Sequence, residues 1–558
     1  MKLRRSSGIL LHPTSLPGEG GIGDLGPRAF EFVDFLAETG QWWWQVLPLG
    51  PTGGMNSPYQ SNSSLAGNPL LISPADLVER GWLERADLVG RPSFPAKRVD
   101  YPKVARFKEG LLRHAFARFP ENDIGFQEFC AGAASWLDDY ALFVALKEAR
   151  GGKAWTEWGR GLARRQPEEL ERGRRQLAES IRFQKFVQYA FEVQIQALRR
   201  HCRTRDVKLI GDIPIFVAHD SCDVWTRPEL FYLNRAGRPT VQAGVPPDLF
   251  AQDGQLWGNP LYRWEAHQAE DFCWWIGRLE GLLRWVDLIR IDHFRGFEAY
   301  WEVPGRDRTA RNGRWVTAPG DAFFKALKRH FGEPPLIAED LGLITPEVEA
   351  LRDRYRLPGM KVIQFGFSTS ASEEKYLPHR FVPHCIAYTG THDNDTSVGW
   401  LRSANVVTTL SRDQVQAERA YALRYVGTNG EEFHWDLIRL LFGSVAEVAI
   451  VPMQDVLGLD SSARMNVPGK AEGNWAWRYT TEQLTPAIKD RLASMTAVYS
   501  RWNGTVPKAL DPHHVPGETH KPAQGTTPGT AAGLDSRIPR RPRRQPALAA
   551  VRRKRTRT

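Results

Sequence analysis

Three acidic residues close apolar, strand-like runs in this chain: Asp292 in VDLIRIDHF, Glu339 in PLIAEDLG and Asp393 in CIAYTGTHDNDT. Asp212 ends a similar run, VKLIGD, and Arg290 stands two residues before Asp292. Carboxylates grouped with an Arg and a His fit chemistry at a glycosidic bond. One carboxylate attacks as a nucleophile. A second, kept protonated by burial and neighbouring negative charge, donates to the leaving oxygen. A third contacts sugar hydroxyls and supports an oxocarbenium-like charge. Two other readings use the same residues. An Asp at a strand end also caps a following helix, and clustered carboxylates also bind metal ions. HExxH, P-loop and GxSxG patterns are absent from the sequence, which removes three competing chemistries.

The elements that must position these residues follow from periodicity. Side chains alternate along a strand, so Val286, Leu288, Arg290 and Asp292 share one face. Ile337 and Glu339 share a face while Asp340 points away, and Ile210 matches Asp212. If the strand at Cys385 continues far enough, Thr389, Thr391 and Asp393 align in the same way. Eight parallel strands are expected, near 8–16, 42–50, 207–216, 286–294, 335–342, 360–367, 385–391 and 448–459. Helical patterns such as 27–40 and 322–332 lie between several of them. This implies an α/β fold, a (β/α)8 TIM barrel, with large, mainly helical insertions around its C-terminal mouth. There the inward faces of the strands open into a shared pocket, which would gather Asp212, Arg290, Asp292, Glu339 and Asp393.

The expected catalytic body is 1–502, interrupted by a helical insertion at about 73–205 and a lid-bearing insertion at about 217–285. The former is far longer than the ~2–6 residues usual between a strand and a helix. From 503 to 558 the chain is Pro/Gly-rich and then Arg-rich, and is expected to be disordered.

Charge and cysteine content narrow the partners. The net charge of +10 comes from the end of the chain: eleven basic residues and one acid lie from Lys521 onward, leaving 63 of each sign before it. A neutral body gives no electrostatic footprint for nucleic acid, so no such partner is expected outside the tail. The five cysteines are scattered, odd in number and free of CxxC pairs, which suits reduced, buried thiols and a cytoplasmic setting. No apolar run approaches a membrane span, and no membrane partner is expected. The twenty Trp residues are mostly core filling, with some surplus suited to stacking on sugar faces.

The segments IRIDHFRGF, LIAEDLG and TGTHDND resemble the signatures of the amylomaltases, also called 4-α-glucanotransferases or disproportionating enzymes. The likeness extends through SGILLHPTSLPGEGGIGDLG, SPYQ, IGDIPIFVAHDSCDVW, GQLWGNPLYRW, PGMKVIQFGF and ARMNVPGKAEGNWAWR, from about Ser7 to Trp502. The resemblance implies Asp292 as nucleophile, Glu339 as acid/base and Asp393 as transition-state stabiliser. It implies substrate contacts at Ser57, Tyr59, Asp212, Trp257, Arg290, His392 and Asn466, with no cofactor and no metal. The implied partners are α-1,4-glucans as donor and acceptor, joined to the 4-OH by retaining double displacement. A retaining α-glucan hydrolase of amylase type is the alternative, because the same carboxylates serve it. The sequence departs from the family's usual pattern at Leu249, at Leu65 and in PTGGMN before SPYQ, positions that bear on acceptor preference.

Overall fold

The computed structural model describes residues 3–247, 252–368, 370–404 and 410–512. The tail at 513–558 and Leu249 lie outside the described residues. Twelve strands follow in chain order: β1 (Ser6–Leu10), β2 (Trp43–Gln45), β3 (Lys208–Pro214), β4 (Val241–Val245), β5 (Gln255–Pro260) and β6 (Leu288–Asp292). Then come β7 (Ala299–Pro304), β8 (Arg314–Thr317), β9 (Leu336–Ala338), β10 (Gly359–Val362), β11 (Cys385–Tyr388) and β12 (Val448–Pro452).

Eight of these form one parallel sheet in the order β10-β11-β12-β1-β2-β3-β6-β9. The ring closes between β9 and β10, where Ala338 N–H donates to Pro358 O (3.0 Å) and Met360 N–H donates to Asp340 Oδ1 (2.6 Å). This is the expected (β/α)8 barrel. Its strands are buried on both faces, which is why they read as continuous apolar runs rather than clean alternation. Register decides what meets at the mouth. Asp212 lies opposite Arg290, and Arg290 lies opposite Ile337.

A second, four-stranded antiparallel sheet, β5-β4-β7-β8, was not legible in the sequence. It combines strands from two connections, β3 to β6 and β6 to β9. Its segments VQAGV and QLWGNP are short and contain Gly or Pro, and QLWGNP lacks apolar alternation, so each looks like a loop until it finds its partner.

Between β2 and β3 the chain is helical, with long helices at Tyr101–Arg118, Ile124–Ala149 and Ala178–Thr204. The last buries Phe183, Phe186, Val187, Ala190, Phe191, Ile195, Leu198 and Cys202, the three- and four-residue spacing of one helical face. Two glutamines on that helix stitch the loop after β2 in place. Gln188 exchanges hydrogen bonds with Gly67 N–H (2.8 Å) and O (3.0 Å). Gln194 does the same with Ser73 N–H (2.7 Å) and O (3.1 Å). That loop carries Ser57 and Tyr59, so the helices position part of the site.

Helix Ile124–Ala149 corrects one expectation. Its most apolar stretch has a mean hydropathy of 1.2, enough by length and composition for a membrane span, yet 44% of that stretch is buried within the protein. Asp138 and Asp139 within it pair with Lys185 and Arg165. Cysteine burial also differs from the sequence reading: Cys202, Cys222 and Cys385 are buried, but Cys273 is exposed, and all five are free. The compact unit runs to Pro512, and Asn503 donates to Asp206 O (2.6 Å) while its N–H donates to Gly40 O (2.9 Å).

Lys108 ties the helical region to the loops beside β1 and β2. Its buried ammonium donates to Asp24 Oδ2 (3.0 Å), Leu70 O (2.9 Å) and Ile72 O (2.8 Å). All three donors are used, so removing the amine strands a carboxylate and two carbonyls. Lys108→Met is expected to destabilise the fold by about 3 kcal/mol, read as a lower denaturant midpoint at unchanged slope. A midpoint equal to the parent's would show that the network contributes nothing.

Candidate active site

β6 delivers Arg290 and Asp292 to the same face, two residues apart. Arg290 is only 4% exposed, and burial alone would depress its charge. Two carboxylates overcome that. Its Nη1 donates to Asp212 Oδ1 (2.9 Å) and Oδ2 (2.7 Å), and Nη2 pairs with Asp292 Oδ1 at 3.0 Å. The guanidinium is therefore held well above its ordinary value. A planar fork with several donors can bridge two acids in this way, whereas an ammonium is a single point charge. The Asp292 side chain keeps 30% of its surface open to the mouth. Asp212 has none exposed and also accepts from Tyr59 Oη (2.8 Å). Burial pushes Asp212 up, opposed by its contacts with Arg290 and Tyr59. In this structure Asp212 is thus the buried counter-charge that fixes Arg290.

Glu339 leaves the end of β9 and is 9% exposed. Its backbone N–H donates to Ile291 O (3.1 Å), continuing the parallel ladder one residue past the strand. Its carboxyl accepts from His293 N–H at Oε2 (2.6 Å) and from Leu341 N–H at Oε1 (2.9 Å). His293 adopts the left-handed conformation (φ 53°), directly after Asp292. This reversal aims its N–H at Glu339. Burial raises the Glu339 carboxyl to about 8, with Asp292 adding to the rise and Arg290 and the two N–H groups opposing it. Asp340, as alternation requires, points the other way and pairs with Arg352.

Asp393 arrives by a different route from the one expected. β11 ends at Tyr388, and Thr389 turns to donate to buried Asp455 (2.6 Å). A turn then takes over, with Thr391 N–H and Oγ1 both donating to Asn394 Oδ1 (2.9 Å each). Asp393 is presented by this loop, not by strand alternation. Its Oδ1 accepts from Asn466 Nδ2 (2.6 Å), and its Oδ2 lies 3.4 Å from His392 Nε2. Asn466 N–H in turn donates to His392 O (3.1 Å).

Tyr59 joins the two halves. Its ring stacks on His392, with centroids 5.2 Å apart and planes 19° from parallel, while its hydroxyl reaches Asp212. Burial lowers the His392 pKa, opposed by the charge of Asp393. Ser57 Oγ accepts from Tyr59 N–H (3.3 Å), shaping the loop that carries the ring. Trp257, on β5, meets the His293 ring edge-on at 4.8 Å and 87°. All ten residues singled out in the sequence therefore fall in or beside one mouth.

Two further residues belong with them. Trp475 packs against both Tyr59 (5.9 Å) and His392 (5.9 Å); it lies in the ARMNVPGKAEGNWAWR segment, of which only Asn466 is singled out in the sequence. Asp455 accepts from Thr389 Oγ1 (2.6 Å), Ser397 N–H (2.7 Å) and Ser397 Oγ (2.7 Å), clamping both ends of the loop that holds His392 and Asp393. It lies three residues beyond the end of β12, an acidic strand-end signal like the others. Leu65 packs where a Cβ on Gly281 would meet its Cδ2 at 2.4 Å, away from the carboxylates, whereas Met55 of the PTGGMN segment is exposed.

A family model described as 4-alpha-glucanotransferase matches residues 11–485. The chain belongs to this family. It is 49% identical over 514 residues to the 4-alpha-glucanotransferase of Thermus thermophilus, covering 90% of this chain and 100% of that one. It is 40% identical to the chloroplastic/amyloplastic 4-alpha-glucanotransferase of Solanum tuberosum, over 89% of this chain and 87% of that one. The structure matches the amylomaltase of Streptococcus agalactiae in complex with acarbose at a TM-score of 0.85 and 39% identity, covering 90% and 100%. It shares the fold of the Corynebacterium glutamicum amylomaltase at a TM-score of 0.74 and 18% identity, covering 90% and 75%. The protein is an enzyme with 4-α-glucanotransferase activity.

The Arg290 bridge yields a direct test of the enzyme's geometry. Arg290→Lys keeps a positive charge but cannot span Asp212 and Asp292 together. A misplacement of this kind is expected to lower kcat about 100-fold, measured by disproportionation of a maltooligosaccharide, with the circular dichroism spectrum retained. A kcat within about twofold of the parent would mean that charge alone suffices.

Proposed function

We propose that the enzyme transfers α-1,4-glucan segments by retaining double displacement, with Asp292 as nucleophile and Glu339 as acid/base. Glu339 gives its proton to the glycosidic oxygen as an Asp292 carboxylate oxygen bonds to the anomeric carbon. The C–O bond to the aglycone breaks, and a covalent glycosyl-enzyme forms. The 4-OH of an acceptor glucan then attacks that carbon, Glu339 takes up the hydroxyl proton, and the bond to Asp292 breaks. Two inversions leave the α configuration unchanged. Retention calls for carboxyl groups about 5–5.5 Å apart.

The observation that carries this assignment is the contrast between the two acids. Glu339 is buried and held protonated near neutrality, as a proton donor must be. Asp292 is more exposed and paired with Arg290, as an attacking carboxylate must be. In this reading Asp393, which Asn466 holds through a hydrogen bond, contacts sugar hydroxyls and stabilises the developing cation. Tyr59, His392 and Trp257 provide flat apolar surfaces around the same space, suited to sugar rings.

Maltotriose separates transfer from hydrolysis. Transfer produces glucose together with maltodextrins longer than the substrate; glucose and maltose without longer chains would identify a hydrolase. Asp292→Asn is expected to abolish both outcomes. Because the protonated form of Glu339 starts the reaction, kcat/KM should hold below its raised pKa and fall as pH rises through about 8. A basic limb near the ordinary carboxylate pKa of about 4.3 would reject Glu339 as the acid.

Trp257 covers the His293 ring beside the catalytic loop, so it helps keep water from the glycosyl-enzyme. In Trp257→Ala, the ratio of hydrolysis to transfer should rise severalfold in a product analysis by chain length. An unaltered ratio would remove Trp257 from this role.

A further inference from the structure

Trp315 is one of the few large apolar residues exposed among the described residues, at 37%, and it sits on β8 of the small sheet rather than in the barrel. One face of its indole lies on the guanidinium of Arg295, with Cζ only 3.7 Å from the ring centroid. Trp301, its direct cross-strand partner on β7, meets it at 66° and 5.2 Å. The ring is therefore fixed in orientation while much of its surface faces solvent.

Arg295 connects this ring to the catalytic loops. It follows Asp292 by three residues, is itself buried, and donates from Nη1 to Leu343 O. Leu343 is 63% exposed and belongs to the segment whose Leu341 N–H holds Glu339. One guanidinium thus carries two exposed apolar groups, Trp315 against its face and Leu343 through its carbonyl. Its Nε is buried without a hydrogen-bond partner among the described residues, and burial lowers its pKa. Glu298 offsets part of that burial cost through its charge but makes no ion pair with Arg295 among the described contacts, so the guanidinium is an unfavourable way merely to fill space. Its visible effect is to lock the Leu343 loop and the indole into one surface.

We propose that Trp315 and Leu343 form an outlying subsite for the acceptor glucan, stacking a sugar ring beyond the unit that receives the transferred segment. This rests on the assignment of Glu339 as acid/base. Glu339 protonates the leaving oxygen, so the aglycone departs past the Glu339 loop, and the acceptor returns along the same path. Leu343 lies on that loop, and Trp315 lies beside it on the same guanidinium. The occupant is a maltodextrin chain, whose sugar faces present C–H groups to an indole. Because the ring is already immobilised by Arg295, little conformational freedom is lost on binding.

The test varies acceptor length against a fixed donor. With a 4-nitrophenyl maltooligoside as donor, the acceptor KM is measured for glucose and for maltoheptaose in the parent, Trp315→Ala and Trp315→Phe. Trp315→Ala should raise KM for maltoheptaose about tenfold more than for glucose, and Trp315→Phe should restore most of the difference. If Trp315→Ala is poorly folded by circular dichroism, Trp315→Leu keeps an apolar cover over Arg295, removes the flat ring, and should show the same length-dependent rise. Equal changes for both acceptors, or a fall in kcat common to both, would make Trp315 only a cap on Arg295 and overturn the subsite. Unchanged KM values would overturn it as well. Failure of the parent to transfer to any acceptor would instead strike the reaction assigned above.

Discussion

The site depends on one buried cation shared by two acids. Arg290 is sequestered in the upper barrel, and its charge survives there only because Asp212 and Asp292 pair with it from adjacent strands. The two acids are not equivalent. Asp212 is enclosed and gives both oxygens to Arg290 and Tyr59, whereas Asp292 gives one and keeps surface for a substrate. The β3–β6 register produces this inequality by placing Asp212 directly opposite Arg290 and Asp292 one step nearer the mouth. A buried ion pair adds little net stability, because its desolvation offsets the attraction. Its value here is positional: it orients the Asp292 carboxylate.

Glu339 shows the complementary device. It shares the neighbourhood of Arg290 but makes no ion pair with it among the described contacts; backbone N–H groups hold it instead. One comes from His293, whose left-handed backbone follows Asp292, and the other from Leu341 on its own loop. Hydrogen bonds from the backbone orient a carboxyl without supplying a full compensating charge, so burial still favours the protonated form. Two acids one strand apart are thereby given opposite surroundings. The inserted sheet adds to this by placing Trp257 against His293 and Trp315 over Arg295, contacts that bear on the loop that follows Asp292.

Much of this was legible in the chain. All eight barrel strands stand where apolar runs end in Gly, Pro or polar residues, and the separation of Glu339 from Asp340 follows from strand alternation. Asp393 shows the limit of that reasoning. It was placed by extending β11 with period two, but the strand stops at Tyr388 and the turn at Thr391–Asn394 presents the acid. The structure brings Asp393 to the mouth by a route other than the one expected, since the strand stops where the Thr389 hydroxyl donates to the Asp455 carboxylate instead of extending the ladder. The antiparallel sheet escaped for a related reason. Its strands are short and come from two separate connections, so pairing across the fold defines them.

The sequence by itself determined which residues could react, the parallel strands that carry them and the face on which most of them point. Those properties are local: residue type, apolar run length and alternation are written within a few neighbouring positions. Only the tertiary structure decided how the acids differ in burial and pairing. The register that shields Asp212 and opens Asp292, the reversal at His293 that aims an N–H at Glu339, and the guanidinium that joins Trp315 to Leu343 all depend on groups distant in the chain. Burial and pairing, which set charge and orientation, are properties of the assembled neighbourhood and not of any one segment.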